Sequence, residues 1–390
     1  MSNVPDIRFK GFTDAWEQRE LGEVVENIGT GKSKFIINNY DTENIYPILG
    51  STGVIGFDNQ YDYEGEFVLT ARVGANAGNL YKYKGSVKIS DNTVFIQNER
   101  NNFIYFLLSC FNLKKLSFGT GQPLIKASEL KKLKLYLPND QEQEKIETIL
   151  LNLDDTITLL QRELDLENKT IEMFMDNLFI QKEQNIPCFN LSENTSLWKS
   201  VKLKEIGDTF TGLSGKNKDD FGHGDAWYIT YMNVFSNPIS NFNDKEKIEI
   251  DIKQNEVKYG DIFFTTSSET PNEVGMSSVW LGDDANIYLN SFCFGFRPKV
   301  ELDPYFIAYL LRSKEVRMKI SKLAQGISRY NISKTKMMEI EINIPDIKTQ
   351  NEVGRILKEL HEKKQITEKQ IEKAKIIKKA FLQKLFPKGD

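Results

Sequence analysis

The chain contains two copies of one sequence pattern, and this duplication limits the folds that it can adopt. Early in the two halves, the corresponding positions are Trp16 with Trp198, Leu21 with Leu203, and Val24 with Ile206. Late in the two halves, they are Ile146 with Val353, Leu178 with Leu385, and Phe179 with Phe386. A repeated unit predicts two similarly folded parts with two related sites. Because the segments between the matched ends differ strongly, we expect the two sites to have different specificities.

Each copy ends in a segment that predicts one long helix. From Asp140, a candidate N-cap, apolar residues recur in steps of four and three, as in a heptad seam. These residues are Ile146, Leu150, Leu153, Ile157, Leu160, Leu164, Ile171, Phe174 and Leu178, with Glu167 as the interruption. The second segment follows Pro345-Asp346 and has a weaker seam. Its apolar positions are Val353, Leu357, Leu360, Ile371, Ala374, Phe381 and Leu385, and its polar positions are Lys364, Thr367 and Lys378.

The charges of these two segments predict that the helices pair with each other. Residues 140–190 carry 4 basic and 12 acidic side chains, a net charge of −8, whereas residues 346–390 carry 12 and 7, a net charge of +5. Because a folded region separates the two segments in sequence, an antiparallel coiled coil is the easiest arrangement to connect. The alternative is two independent helices surrounded by solvent.

The rest of the sequence predicts an α+β fold with two strand-rich globular regions. Short β-rich runs separated by Gly, Asn and Asp turns occupy both regions, and each region contains one amphipathic helix. We therefore predict four segments: a globular domain at 1–139, a long helix with its linker at 140–190, a second globular domain at 191–345, and a second long helix at 346–390.

Composition argues against secretion, membrane insertion and metal-dependent catalysis. The first twenty residues lack the apolar core of a signal peptide, and no apolar run approaches the length of a membrane span. The three cysteines are scattered, as in a reducing compartment, and only His223 and His361 could act as imidazoles. We therefore predict a cytoplasmic protein without catalytic residues or a metal site.

A Gly-rich segment is the first candidate surface for binding DNA. The segment from Gly29 and its copy from Thr211 offer four basic side chains to phosphate oxygens: Lys32, Lys34, Lys216 and Lys218. The first copy resembles the end of a P-loop, but Glu26 stands where that motif needs a glycine, which argues against nucleotide binding. The alternative for each residue is an ordinary flexible turn.

The loop after each amphipathic helix is the second candidate. We align the segment from Gly119 with the segment from Ala324. Both contain side chains of the types that read base edges or hold phosphates: Gln122 and Lys126 in the first copy, and Gln325, Arg329, Tyr330, Asn331 and Lys334 in the second. A purely structural turn is the alternative.

A third candidate surface differs in chemistry between the two copies. In the first half, aromatic residues alternate with amide and basic groups, and the candidate contacts are Arg72, Asn76, Asn79, Lys82 and Lys84. The counterpart at 265–272 is rich in hydroxyl groups, and its candidate contacts are Ser267 and Asn272. Different chemistry on one scaffold is what two different half-sites would require. The alternative is an ordinary half-exposed strand.

The run Asp303-Pro304-Tyr305-Phe306 partly matches the Asp-Pro-Pro-Tyr motif of adenine methyltransferases. One proline is missing, and no Gly-rich cofactor loop precedes the run. A helix with Asp303 as its N-cap and Pro304 in its first turn explains the same residues. We therefore prefer the structural interpretation.

The chain resembles the specificity subunit of type I restriction–modification enzymes. Its opening residues Pro5–Phe12, followed by Trp16 and Leu21–Val24, resemble the usual start of that family. The junctions LKLYLPNDQEQEKI, from Leu133, and IEINIPDIKTQNEV, from Ile340, resemble its strand–Pro–Gln–helix junctions. One departure is Thr349-Gln350 in the second junction, where the family often has Glu-Gln.

The resemblance covers essentially the whole chain and implies a function. It implies two target recognition domains, each of which reads one half of a bipartite, asymmetric site in double-stranded DNA. It further implies two methyltransferase subunits docked on the long helices, together with restriction subunits. S-adenosylmethionine, ATP and magnesium would then belong to those partners, and this chain would bind none. The alternatives are a two-headed coiled-coil scaffold that binds proteins and, third, an autonomous adenine methyltransferase.

Overall fold

A computed structural model describes residues 4–32, 35–116, 124–180, 187–189 and 198–387. The chain divides into two compact units, Met1–Arg162 with Lys369–Asp390, and Glu163–Glu368. Each unit therefore combines one globular region with part of both long helices.

The first unit is built around one large sheet. Its strands are β1 (Glu17–Glu20), β2 (Asn27–Thr30), β3 (Tyr46–Gly50), β4 (Gly53–Asp58), β5 (Tyr63–Ala71), β6 (Leu80–Ile89), β7 (Thr93–Gln97) and β8 (Lys134–Leu137). Its helices are α1 (Leu21–Val24), α2 (Asn101–Cys110) and α3 (Ala127–Lys131), and the long helix α4 (Asp140–Leu178) follows β8. The large sheet has the strand order β2-β7-β5-β6-β3-β4, and β1 pairs with β8.

The second unit divides its strands among smaller sheets. The strands are β9 (Lys199–Lys202), β10 (Gly207–Thr211), β11 (Phe221–Ile229), β12 (Lys245–Ile248), β13 (Ile262–Thr265), β14 (Ser267–Ser268), β15 (Ser277–Val279), β16 (Ile287–Leu289), β17 (Cys293–Pro298), β18 (Tyr330–Asn331) and β19 (Glu341–Ile344). The helices are α5 (Leu203–Ile206), α6 (Tyr231–Ser236), α7 (Pro304–Leu310), α8 (Lys314–Ser321), α9 (Lys334–Met338) and the long α10 (Ile347–Lys384). The sheets are β10-β17-β13-β15, β12-β11-β16, β14-β18 and β19-β9.

The two units share a framework, which confirms the predicted duplication. The antiparallel pair β1–β8 corresponds to β9–β19, and in each case a backbone bond anchors the helix that follows the first strand. The N–H of Leu21 donates to the carbonyl of Leu133 at 2.8 Å, and the N–H of Leu203 donates to that of Ile340 at 3.1 Å. The order β2-β7-β5 likewise corresponds to β10-β17-β13.

The long helices lie within the segments predicted for them, 140–190 and 346–390, and have 39 residues in α4 and 38 in α10. One detail of the prediction was wrong, because Asn139 and not Asp140 caps α4. The side-chain oxygen of Asn139 accepts the Glu142 N–H at 3.0 Å, while Asp140 already lies inside the helix. The cap is the residue whose oxygen can reach an unpaired N–H of the first turn.

The two long helices pair in an antiparallel arrangement, and opposite charges meet as predicted. In the first unit, Lys378 of α10 forms an ion pair with Asp154 of α4. In the second unit, Lys363 lies 3.4 Å from Glu163 and 3.3 Å from Glu167. Glu167 and Thr367, two of the four polar positions in the seams, are buried there, and the Thr367 hydroxyl donates to Glu167 at 3.1 Å.

The segment around Ile7 and Arg8, which precedes the first copy of the repeat, bonds to both long helices of the first unit. The guanidinium of Arg8 donates to both carboxylate oxygens of Glu142, with Nε–Oε1 at 2.9 Å and Nη2–Oε2 at 2.6 Å. The Glu142 side chain is only 1% exposed. Nearby in the chain, the Ile7 N–H donates to the carbonyl of Lys384, the last residue of α10, at 3.0 Å. The segment therefore satisfies a buried carboxylate and one of the unpaired carbonyls at a helix end.

The structural interpretation of the Asp303 run is confirmed. The Asp303 carboxylate accepts the N–H of Phe306 at 2.8 Å, and Pro304 is the first residue of α7. Asp303 is therefore engaged as a helix cap. In the part of the chain that the structure describes, the helices lack the combination of length and apolar content that a membrane span requires.

Candidate nucleic-acid interface

In the second unit, the fold brings together two segments that the sequence predicted separately. Strand β14 pairs with β18, which places Ser267 opposite Asn331 and Ser268 opposite Tyr330. The backbones of Gln325 and Asn331 exchange two hydrogen bonds, at 3.0 and 2.8 Å, which close the loop between them. Candidate contacts more than 50 residues apart in sequence thus form one surface.

An open groove of about 670 Å³ lies at this surface. Three elements form its walls: helix α6, strand β14 with the loop after it, and the loop before β18. The lining residues are Tyr231, Met232, Phe235, Ser267, Ser268, Glu269, Glu273, Ser328 and Arg329. The Tyr231 hydroxyl donates to the Ser267 carbonyl at 2.7 Å, and burial raises the pKa of this phenol. The groove combines aromatic surface with hydroxyl, carboxylate and guanidinium groups.

Arg329 is the exposed cation of the groove. Its guanidinium carbon lies 5.8 Å from the centre of the Phe292 ring, and Phe292 is itself 55% exposed. Across the groove, the Glu273 carboxylate accepts the Thr270 hydroxyl at 2.7 Å. A guanidinium can donate to guanine N7 and O6, and a carboxylate can accept from the cytosine amino group. The groove therefore has the donor and acceptor types that read base edges.

Sequence reasoning missed the aromatic wall of this groove. The prediction left out three residues of the lining, Tyr231, Met232 and Phe235, and also Phe292, whose ring lies beside Arg329. The available signal was Thr230, a good N-cap, followed by aromatic residues four positions apart. That signal indicates a short helix, but only the tertiary structure shows that the helix borders β14.

The other predicted residues of the second unit lie in varied surroundings. Lys216 is paired with Asp251 at 2.8 Å, and this hydrogen bond raises the pKa of Lys216. Lys218 is exposed in a short 3-10 turn, Lys218–Asp220. Asn272 exposes its side chain, while Tyr330 and the first residue of α9, Lys334, are half-buried. Whether any of them contacts DNA stays a prediction.

The first unit has a loop at the equivalent place. The loop after β5 meets the segment before α3 through an antiparallel bridge between Val73 and Leu124. Asn76, Asn79 and Lys126 are exposed at this surface, and the Asn79 amide donates to the Asn76 side chain at 3.3 Å. The Arg72 guanidinium donates to the Asp91 carbonyl at 3.2 Å. Gln122 lies outside the described residues.

A matching pair of backbone bonds defines the equivalence between the two surfaces. The Ile125 N–H donates to the Arg72 carbonyl at 2.8 Å, and the Ile332 N–H donates to the Thr266 carbonyl at 3.0 Å. The alignment of Gly119 with Ala324 was therefore wrong by two residues, since it paired Ile125 with Tyr330. Ile125 and Ile332 are both buried, so core packing sets the register that loop composition could not.

The third candidate surface is divided by the alternation of β6. Lys82 donates to the Asn102 side chain at 2.8 Å and lies 5.0 Å from the Tyr105 ring centre, so it faces α2. Burial beside α2 lowers the pKa of Lys82. Lys84 forms an ion pair with Glu66 at 2.6 Å, whereas the Tyr81 hydroxyl bonds to the Gly50 carbonyl. Lys82 and Lys84 therefore lie with Glu66 and the start of α2, whereas Asn76 and Asn79 belong to the loop before β6.

The first copy of the Gly-rich segment begins in a strand and not in a turn, whereas the second copy leaves strand β10 after Thr211. Gly29 lies in strand β2, where a Cβ atom would meet the Phe95 ring at 2.8 Å. A Cβ at Gly31 would lie 2.0 Å from the Ile89 carbonyl oxygen, so close backbone packing requires this glycine. Lys32 pairs with Asp62 at 3.1 Å and remains exposed. Lys34 lies outside the described residues.

Among the residues that the structure describes, no group of three or more His, Cys, Asp or Glu side chains could hold a metal ion.

Comparisons with known proteins identify the family. A family model described as "Type I restriction modification DNA specificity domain" matches residues 13–168 and 195–375. The type I restriction enzyme MjaVIII specificity subunit from Methanocaldococcus jannaschii is 25% identical over 422 residues, which cover 96% of this chain and 93% of that protein. The EcoprrI specificity subunit from Escherichia coli is 28% identical over 153 residues, which cover 38% of each protein.

A solved structure shares the fold. The crystal structure of a type I restriction–modification S subunit from M. genitalium matches with a TM-score of 0.65 at 16% identity, covering 99% of this chain and 100% of that one. The family domain itself matches twice, once over each copy of the repeat. The chain therefore belongs to the family of type I restriction–modification DNA specificity subunits.

Proposed function

We propose that each of the two globular domains reads one half of a bipartite, asymmetric site in double-stranded DNA. The observation that carries this proposal is the different chemistry at equivalent places. Next to the bond between Ile125 and Arg72, the first domain exposes amide and basic groups. Next to the bond between Ile332 and Thr266, the second domain has hydroxyl groups, carboxylates and Arg329. Side chains of different hydrogen-bonding type select different bases.

Exchange of one domain tests this assignment. Residues 198–345 would be replaced by the same region of a relative, and the modified chain would be co-expressed with its modification subunits. Genome-wide mapping of methylated adenines should then show a change in one half of the target and none in the other. The reciprocal exchange of residues 16–138 is the control and should change only the other half. A change in both halves, or in neither, would contradict the proposal.

The chain itself is proposed to be non-catalytic. Its P-loop-like segment lacks a required glycine, and its methyltransferase-like run is occupied in capping a helix. Adenine methylation and restriction would then be performed by two modification subunits and by restriction subunits. S-adenosylmethionine, ATP and magnesium would bind to those partners, and this chain would direct them to the site.

The outer face of α4 is a suitable docking surface for the modification subunits. Leu166 and Met173 lie seven residues apart and are 64% and 46% exposed, as expected for positions that pack against another helix. The double substitution Leu166→Glu and Met173→Glu should reduce co-purification with the modification subunit at least tenfold. The control Lys169→Glu adds negative charge at an exposed position of the same helix and should leave co-purification intact. Equal loss in both variants would show a charge effect instead.

Arg329 is the side chain of the groove that we expect to read a base. The substitution Arg329→Ala should weaken binding to the correct second half-site by about 1–3 kcal/mol, because a bidentate contact to guanine contributes that much discrimination. The measurement is titration of the assembled complex with duplexes that carry single substitutions in either half-site. Lys336→Ala, at an exposed position of α9, is the control. Uniform weakening on all duplexes would make Arg329 a phosphate contact.

A further inference from the structure

Two arginines lie behind the groove of the second unit, and both are bound by backbone carbonyls. The Arg312 Nε donates to the Ser277 carbonyl at 2.7 Å, and its Nη2 lies 2.9 to 3.0 Å from the carbonyl oxygens of Val234, Phe235 and Asn237. The Arg317 Nη1 donates to Gly275 at 2.7 Å, and its Nη2 lies 2.7 Å from the carbonyl oxygens of Asn272 and Val274.

These contacts are unusual because they leave two positive charges without a carboxylate. Within the described part of the chain, no acidic side chain balances the charge of either guanidinium. Burial lowers the pKa of Arg312 to about 9 and that of Arg317 to about 10, so both remain charged at neutral pH. A buried cation is tolerated only if hydrogen bonds replace its hydration. The carbonyls perform that role here, so the local backbone and the guanidinium stabilise each other.

Most of the bound carbonyls belong to two walls of the groove, helix α6 and the loop after β14. Helix α6 has six residues, too few for stability without tertiary support. It carries Tyr231 and Phe235 into the groove, and Arg312 binds the unpaired carbonyls at its C-terminal end. Arg317 binds the end of the loop that carries Glu269 and Glu273. Each arginine thus binds the backbone of one wall on the side away from the groove. The residues joined in this way are 35 to 78 positions apart in sequence.

We infer that Arg312 and Arg317 are positioning residues for sequence reading, which set the specificity of the second half-site through α6 and the 269–275 loop. This inference rests on the proposed function of the groove. It applies to the second domain alone, because residues 101–116, the matching stretch of the first domain, contain no arginine. A change at either position should therefore affect one half-site only.

Lysine variants separate geometry from charge. Arg312→Lys and Arg317→Lys keep the positive charge, but a single ammonium nitrogen cannot take the place of the two guanidinium nitrogens that bind the carbonyls in each case. The measurement uses the full chain assembled with its modification subunits. For each variant, the ratio of affinities for the mapped target and for duplexes substituted in the second half-site should fall at least tenfold. Discrimination in the first half-site should stay as in the wild type. Hydrogen exchange should accelerate at 231–237 for Arg312→Lys and at 269–276 for Arg317→Lys.

The control separates positioning from general instability. Ile342 is buried in β19, which pairs with β9 and with none of the groove segments. Ile342→Val or Ile342→Ala, whichever matches the melting temperature of the arginine variant, should keep full discrimination. Lysine variants that discriminate normally, or a control that loses discrimination equally, would overturn the inference while leaving the proposed function standing. A wild-type complex that ignores the second half-site would overturn both.

Discussion

Replacement of Arg8 by alanine should lower the free energy of unfolding of the first unit by about 3–5 kcal/mol, the usual effect of removing one partner from a buried ion pair. Arg8 donates to both oxygens of the Glu142 carboxylate, and that side chain is 1% exposed. Without Arg8, the carboxylate would remain buried without its cation. Hydrogen exchange of residues 4–162, followed as a function of denaturant, measures the change in this unit separately from the other.

Two further variants complete this test. Arg19→Ala removes an exposed pair, in which Arg19 and Glu17 are 57% and 73% exposed, and should change stability by less than about 0.5 kcal/mol. The double variant Arg8→Ala with Glu142→Ala should be more stable than Arg8→Ala alone, because it no longer buries an unpaired charge. A double variant less stable than the single one would show that packing, and not the carboxylate, determines the loss.

Acidification should destabilise the second unit through His361. This imidazole is buried, with the Tyr309 hydroxyl 2.9 Å from Nδ1 and the Gln365 amide 3.0 Å from Nε2. Burial, helped by the charge of Lys364, lowers the pKa of His361 from 6.5 to about 4. Between these values, the unfolded chain binds a proton that the folded unit does not. The free energy of unfolding should therefore fall by up to about 3 kcal/mol as the pH drops from 6.5 to 4, and this contribution should level off below that.

The two histidines of the chain make a matched comparison. His361→Gln should remove most of this loss when denaturation of the second unit is measured between pH 7 and pH 4.5. His223 is exposed in β11, so His223→Gln should retain the wild-type pH dependence. A His361→Gln variant that loses stability as steeply as the wild type would assign the acid sensitivity to carboxylates.

The long helices could be predicted from sequence because local rules govern them. A repeat of apolar residues at steps of three and four requires a helical partner, and the opposite charges of the two segments indicate which segment that is. Two of the polar residues that interrupt the apolar seams, Glu167 and Thr367, are hydrogen-bonded to each other in the helix pair, which is consistent with this prediction. The Asp303 cap follows in the same way from short-range chemistry, and the duplication follows from the similarity of the two halves of the sequence.

The candidate site was predicted only in part, because its geometry depends on contacts between distant segments. Ser267 and Arg329 were predicted individually, but the pairing of β14 with β18 places them in one groove. Lys82 and Asn76 were predicted on one surface, but Lys82 bonds to Asn102 of α2 and Asn76 lies in the loop before β6. Gly29 and Gly31 have the composition of a loop, and only the proximity of Phe95 and Ile89 shows that packing requires them.

Sequence and tertiary structure therefore account for different properties of this protein. Duplication, helix periodicity and segment charge can be recognised without knowing which distant residues are in contact, and they suffice to predict two similar domains joined by paired helices. The proposed reading surface depends on which buried residues align, as Ile125 and Ile332 do, and on which carbonyls two buried arginines reach. Those relations join segments tens of residues apart, where side-chain packing and hydrogen bonding, and not local preference, select the arrangement.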